Sequence, residues 1–448
     1  MTTASLLVCA AAGAQERQSL PDDVRTNIQA RLAAGWTPSI VVGLVDSGGA
    51  RFFSFGTVSP EGGPAVNERT IYEIGSMTKV FTALTLADMA VRHEVGLDDP
   101  AGRYLPDSVR MPGPADTPIT LALLASQRSG LPRLPANLVP ADSTNPYADY
   151  DAARLYAYLN GAGLSRAPGS RYEYSNLGFG LLGFLLARRA GTGYEQLIQD
   201  RILRPLDMAE TTVTLSAEAR TRLATGSVDG HPVSNWDFDA LAGAGALRSD
   251  ARDLTRFLSA ALGLVSTPLD SAFALAERPR ADAGSPAMKM GLGWHILVRP
   301  DRNIVWHNGG TGGYHSWAGY DRARQTGAVV LTNSPENIDD IGFHLLDPSI
   351  PMNPVRAAIT LPAGELEEYV GTYPLTPAFA ITIRREGDQL TGQATGQGAF
   401  RLYPSARDEF FLKVVDARIS FTRDEAGQVN GLILHQGGAD QRAPRQAE

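Results

Sequence analysis

Between Thr70 and Ala90 the apolar positions change period. Ile71 and Ile74 suit a short extended lead-in, and Gly75 suits a sharp turn. Val80, Phe81, Leu84, Ala87 and Val91 then recur at helical spacing, which predicts an amphipathic helix starting at Ser76 and stopped by Gly96-Leu-Asp-Asp-Pro100. Upstream, the pattern predicts a helix over Asp22–Ala34. A strand hairpin follows, Ser39–Asp46 against Arg51–Gly56, joined by a Ser-Gly-Gly turn. Downstream, helical periods cover Ile119–Ala125, Asp151–Asn160, Tyr194–Leu203 and Ala251–Leu262. Between Ile304 and Asn333 the period returns to alternation. Ile304–His307, Tyr314–Tyr320 and Ala328–Thr332 predict an antiparallel meander with a glycine-rich corner at Gly309-Gly-Thr-Gly-Gly313.

A helix expected at Ile338–Leu346 leads into Pro348, Pro351, Pro354 and Pro362, and 348–364 reads as a linker. Beyond it the chain is nearly all short alternating strands: Ile381–Arg384, Leu390–Ala394, Arg401–Tyr403, Phe410–Val414, Arg418–Thr422 and Leu432–His435. That spacing predicts a small closed antiparallel barrel over 365–448. The hydrophobic fraction of 43% over 448 residues is enough for a large domain, placed at 20–347, plus this appendage.

Composition narrows the partners. A net charge of −8 argues against nucleic acid and against an anionic membrane surface. No apolar run approaches a membrane span. Thr3–Gln15 has the apolar core and small-residue end of a secretory signal. A cut after Ala12-Gly13-Ala14 is expected, making 1–14 a leader and the protein exported and periplasmic. The single cysteine, Cys9, lies inside that leader. The mature chain is then expected to have no disulfide, no thiol nucleophile and no Cys-ligated metal. No metal or cofactor site is expected.

Candidate chemistry starts at Ser76. A serine at a helix start sits among unpaired N–H groups and the positive dipole end, where a developing negative charge is favoured. Lys79, three residues on, shares its face, and a hydroxyl beside an amine is the Ser–Lys form of an activated nucleophile. By itself S-x-x-K is a weak pattern, equally an N-cap serine before a solvated lysine. Lysine usage adds weight: of 40 Lys+Arg residues only Lys79, Lys289 and Lys413 are lysine. Where charge alone mattered the chain used arginine, which cannot act as a base.

Two partners fit such a nucleophile. Tyr174-Ser-Asn176 puts a phenol and an amide two residues apart in a loop ahead of a helix. The same spacing at Tyr158-Leu-Asn160 falls within a helix and is set aside. His307-Asn308-Gly309-Gly310 offers a strand edge whose small residues allow close substrate approach and leave an N–H for an oxyanion. Gly178-Phe-Gly-Leu-Leu-Gly183 matches G-x-G-x-x-G formally but lacks the preceding strand, so a dinucleotide site is rejected. His93-Glu94 has Leu97 where an H-E-x-x-H zinc site needs histidine, and no G-x-S-x-G elbow occurs.

In this order and at these separations, Ser76-Met-Thr-Lys79, Tyr174-Ser-Asn176 and His307-Asn-Gly309 resemble the three motifs of the class C β-lactamase and penicillin-binding-protein-like serine hydrolases: S-x-x-K, Y-x-N and K-T-G or H-x-G. The resemblance runs from about Leu20 to Leu346. The strand-rich region from Glu368-Tyr-Val-Gly-Thr-Tyr373 to Gly431-Leu-Ile-Leu-His435 resembles the lipocalin-like domain often fused to them. The resemblance implies an α/β fold: an antiparallel sheet flanked by helices, an all-helical lobe, and the site between them. It implies Ser76 as acylated nucleophile, Lys79 and Tyr174 sharing proton transfer with an accessible phenolate, and Asn176 positioning a substrate amide. The N–H groups of Ser76 and Gly310 would form the oxyanion hole. His307 and Asn308 replace the lysine and threonine that help hold a substrate carboxylate. The expected substrate is an amide or ester, led by a peptide containing D-amino acids. An esterase or weak β-lactamase is the alternative, and an inactive module binding cell-wall peptides is the reading from outside enzymes. The pocket walls are expected from the loops Pro132–Pro146 and Ser227–Ala246.

Overall fold

The computed structural model describes residues 19–396 and 398–446; the expected leader, with Cys9, lies outside them. Two compact units divide the chain. One comprises residues up to Arg25 and Thr37–Pro351; the other joins Thr26–Trp36 to Met352–Glu448.

The larger unit is built on a nine-stranded antiparallel sheet. Its elements are helix α1 (Asp22–Ala33, whose first residues it holds), β1 (Ser39–Asp46), β2 (Gly49–Ser59), β3 (Gly62–Ala65), helices α2 (Thr78–Val91), α3 (Asn176–Ala190) and α4 (Ala251–Leu262), then β4 (Ala281–Ser285), β5 (Met288–Met290), β6 (His295–Val298), β7 (Asn303–Gly310), β8 (His315–Asp321), β9 (Thr326–Thr332) and α5 (Asp339–Leu346). Spatial order is β3-β2-β1-β9-β8-β7-β6-β5-β4, so the N-terminal hairpin inserts beside the last strand, with Val42 opposite Val330. Strands β4–β6 and β3 are absent from the sequence-based expectation. Ala281–Ser285 is largely exposed and Gly62–Ala65 is glycine-rich, so neither carries an apolar alternation to read.

Alternation along β8 separates the two faces. Ala318 and Tyr320 join the main core with Phe257 and Leu258 of α4. Trp317 faces the other way, onto Phe343 of α5, where a Cβ at Gly342 would meet the indole at 2.2 Å. Helix α4 matches its expected bounds, with Asp250 accepting the Asp253 N–H as N-cap.

Helix α2 departs from expectation. It is buried on every side from Thr78 to Met89, because helices and loops of the helical lobe cover the face opposite the sheet. Its buried threonine hydroxyls all have partners: Thr78 Oγ1 accepts the Leu247 N–H at 3.0 Å, and Thr82 and Thr85 donate to Gly243 O at 2.8 Å and Phe81 O at 2.9 Å. Phe81 packs against Phe257 in a tilted pair with centroids 4.6 Å apart, and burying such a ring stabilises the fold by about 2–3 kcal/mol. The helix ends at Val91, before the expected Gly96 stop, where His93 takes φ +59°.

The smaller unit is an eight-stranded antiparallel meander running from Gly371–Thr376 to Ala439–Pro444 in sequence order. The Gln446 N–H reaches Thr372 O at 2.8 Å, linking the last strand's end to the first strand and nearly closing the barrel. Its core holds Tyr369, Tyr373, Phe410 and Phe421. The first and last strands were not foreseen, and Thr26–Trp36 belongs here too: Trp36 Nε1 donates to Arg356 O at 2.8 Å and the indole stacks on Phe411. Among the described residues no helix is long and apolar enough to cross a membrane.

Candidate active site

The chain enters the site through Tyr72-Glu73, paired with Arg248-Ser249. It turns at Gly75 (φ +49°), makes a single 3-10 turn over Gly75–Met77, and enters α2. A side chain at position 75 would clash with Gly310: its Cβ would lie 2.8 Å from Gly310 N and 2.7 Å from Gly310 O. At Gly309 a Cβ would fall 2.0 Å from Ile74 O and 2.8 Å from Ser76 N. The glycine corner of β7 therefore lies directly against the turn that carries Ser76.

Ser76 is partly exposed, and Lys79 beneath it is fully buried. Lys79 Nζ lies 2.9 Å from Ser76 Oγ and donates to Ala244 O at 2.7 Å. Burial holds the amine well below the ordinary lysine value, and the Arg133 guanidinium adds to the shift. In its neutral form, an amine that donates to Ala244 would have a lone pair left for the serine hydroxyl 2.9 Å away.

The Tyr174 phenol lies within the electrostatic reach of Ser76, whose hydroxyl acts to lower its pKa. Lys79 Nζ lies 4.9 Å from its ring centroid. Burial raises its pKa, outweighing the lowering by Ser76 and Arg133, so the group is a phenol and not the accessible phenolate expected from the sequence. Ser175 caps α3 by accepting the Gly178 N–H, and its hydroxyl donates to Pro132 O at 2.6 Å. This places Asn176 beside Tyr147, with Nδ2 3.3 Å from the Tyr147 hydroxyl and Oδ1 buried without a partner among the described residues. Gly180 and Gly183 serve packing: a Cβ there would meet Leu241 at 2.5 Å and Gly243 at 2.8 Å, in keeping with the rejected dinucleotide reading.

The third motif closes the other side. The Thr311 N–H donates to Tyr314 O, so the next hydrogen-bonded pair of the β7–β8 ladder is Gly309 with Ser316. Gly310 is then a non-bonded position whose N–H points away from β8. His307 is buried beside His295, ring centroids 5.0 Å apart. Its Nδ1 lies 2.5 Å from Asn308 O, and because a carbonyl only accepts, the proton sits on Nδ1. Burial, then His295 and Lys79, push its pKa well down, so the ring is neutral and Nε2 is a bare acceptor. Asn308 Nδ2 donates to Asp339 Oδ2 at 2.6 Å, and Asp339 pairs with His315 at 2.9 Å.

The two loops expected to wall the site meet each other. The Asp237 N–H donates to Asn145 Oδ1 at 2.7 Å, and Tyr147 stacks on Phe238 with centroids 4.6 Å apart. Sequence reasoning missed Arg133, Tyr147, His295 and the Ala244 carbonyl. Arg133 and Tyr147 lie in or beside a loop marked only by its prolines, and a carbonyl has no signature at all.

A second serine constellation lies on the barrel: Ser420 Oγ is 2.8 Å from His435 Nε2, and His435 Nδ1 is 2.7 Å from Asp440 Oδ1. Ser420 also donates to Glu409 Oε2 at 2.8 Å. With its one proton given to the carboxylate, Ser420 must accept from His435, and a donor cannot be the general base.

The family model described as "Beta-lactamase" matches residues 24–344. The chain belongs to the β-lactamase family. It is a serine hydrolase of the β-lactamase/DD-peptidase type. Residues 355–445 match a model described as "Domain of unknown function (DUF3471)". Among β-lactamase-family relatives, the D-alanyl-D-alanine-carboxypeptidase/endopeptidase AmpH of Escherichia coli K12 is 31% identical over 306 residues, covering 65% of this chain and 78% of that protein. Penicillin-binding protein 4* of Bacillus subtilis is 26% identical over 433 residues, covering 88% of this chain and 91% of that protein. A solved β-lactamase/D-alanine carboxypeptidase from Yersinia pestis, complexed with citrate, aligns with a TM-score of 0.61 at 25% identity, over 69% of this chain and 91% of that one.

Proposed function

We propose that the protein is an exported acyl hydrolase that cleaves an amide or ester through a Ser76 acyl-enzyme, with a peptide containing D-amino acids as its substrate. The observation that carries this is the fully buried Lys79 amine 2.9 Å from Ser76 Oγ. The similarity to the D-alanyl-D-alanine-carboxypeptidase/endopeptidase AmpH supports the substrate class.

Ser76 Oγ attacks the carbonyl carbon while its proton passes to Lys79 Nζ. The N–H groups of Ser76 and Gly310 donate to the oxyanion. On collapse the carbon–leaving-group bond breaks, and Tyr174, held as a phenol, donates its proton to the departing amine or alcohol. Lys79 returns a proton to Tyr174. Water then attacks the ester to Ser76, one proton from it goes back to Ser76, and the free acid leaves. Asn176, with an unpartnered carbonyl oxygen and an amide held by Tyr147, orients the substrate amide.

The neutral His307 favours a second reading, an esterase or weak β-lactamase, because this site offers no ammonium to a leaving-group carboxylate. Intact-protein mass spectrometry after a serine-reactive acylating probe tests the acyl-enzyme. One adduct is expected, absent in Ser76→Ala. An adduct that persists in Ser76→Ala overturns the assignment, and failure of wild type to react returns the inactive peptide-binding module.

A further inference from the structure

Arg133 follows Ser129-Gly-Leu-Pro132 and takes no part in the proton transfers above. Its guanidinium carbon stands 5.2 Å from the centroid of the Tyr174 ring, and its side chain is exposed. Among the described residues it makes no salt bridge, unlike the buried Arg248, which is held by Glu73 and Asp237.

The backbone beneath Arg133 is fixed. Its carbonyl accepts the N–H of Asn176 at 2.9 Å and of Leu177 at 3.2 Å, and the preceding Pro132 carbonyl takes the Ser175 hydroxyl. The backbone at Arg133 is thus bonded to the segment carrying Asn176, the residue proposed above to orient the substrate amide, which lies next to Tyr147. Its field reaches the groups around it, lowering Lys79 and drawing down the phenols of Tyr147, Tyr172 and Tyr174. The third-motif side shows the opposite character. His307 is neutral, and the Asn308 amide is committed to the Asp339 carboxylate. The exposed positive charge of this site therefore stands on the Tyr174–Asn176 side, opposite the third motif that faces the leaving group in the reading above.

We propose that Arg133 binds a carboxylate on the acyl side of the scissile bond, so that the enzyme prefers acyl groups carrying a negative charge. The proposal rests on the acyl-transfer reading of Ser76. An exposed guanidinium on an anchored stretch of backbone suits this task, because a carboxylate takes two parallel N–H bonds from it in one geometry.

The test compares the p-nitrophenyl esters of N-succinyl-D-alanine and N-butyryl-D-alanine, which differ only in the distal acyl carboxylate. Wild type is expected to favour the succinyl ester in kcat/KM, and Arg133→Gln to cut that succinyl-to-butyryl ratio by about tenfold, the worth of one charge-assisted contact. Arg133→Lys should restore part of the ratio, and added salt should erode it in wild type but not in Arg133→Gln. A ratio unchanged by Arg133→Gln, or near one in wild type, overturns the proposal. Calorimetry with the product acids, N-succinyl-D-alanine and N-butyryl-D-alanine, separates this from the chemistry. If wild type turns over neither ester, the acyl-transfer reading fails, and tighter binding of the succinyl acid that depends on Arg133 still upholds the charge preference. Equal affinities for both acids overturn it.

Discussion

Lys79 Nζ sits 2.9 Å from Ser76 Oγ with no part of the lysine side chain reaching solvent. The same amine lies 4.9 Å from the ring of Tyr174, so one buried nitrogen links the nucleophile to the phenol. In the proposed mechanism these three side chains act as one proton-transfer unit, and their removal should be strongly non-additive.

Lys79→Ala and Tyr174→Phe should each lower kcat on the order of 10²–10⁴-fold, the usual worth of a positioned acid or base. The double variant should lose little more. Lys79→Arg should be as damaging as Lys79→Ala, since a guanidinium keeps the charge without accepting a proton. Steady-state kinetics on an activated ester decides this; additive losses or an active Lys79→Arg enzyme contradict it.

The pH dependence follows from Lys79. Burial, and then Arg133, hold its pKa well below 10.5. The rising limb of kcat/KM should therefore finish well below the ordinary lysine range. Arg133→Gln removes a neighbouring positive charge, which eases protonation of Lys79 and should move that limb to higher pH. Profiles that keep rising into the lysine range, or that do not move with Arg133→Gln, count against Lys79 as the base.

The His315–Asp339 pair behind the third motif should appear in stability. Burial alone would lower the histidine, but the Asp339 carboxylate 2.9 Å away outweighs it and raises the pKa. A raised folded-state pKa contributes stability that is present below the unfolded histidine value, about 6.5. That contribution is lost as pH rises through the folded value. Asp339→Asn should cost ~3 kcal/mol near pH 6, the scale of a broken buried pair, and clearly less in alkaline buffer. Urea melts at both pH values check it; a cost that grows with pH would refute the pairing.

Local chemistry was legible in the chain. Ser76 and Lys79 are three residues apart, so local backbone geometry alone brings them together. The period of Ala251–Leu262 and the alternation of β7–β9 likewise carried their elements. Tertiary structure decided what spacing cannot encode. The amphipathic expectation for α2 failed because partners from distant segments bury the whole helix, Ala244 lying 165 residues from Lys79. The same burial reversed the Tyr174 expectation: a nearby cation favours phenolate, but desolvation is the larger influence and belongs to the folded site. Arg133 became visible only in the fold, where its carbonyl meets the N–H of Asn176, 43 residues on, and its guanidinium stands 5.2 Å from the Tyr174 ring centroid. Periodicity and motif spacing are properties of neighbours along the chain. Desolvation and charge placement depend on neighbours in space, and only the fold supplies those.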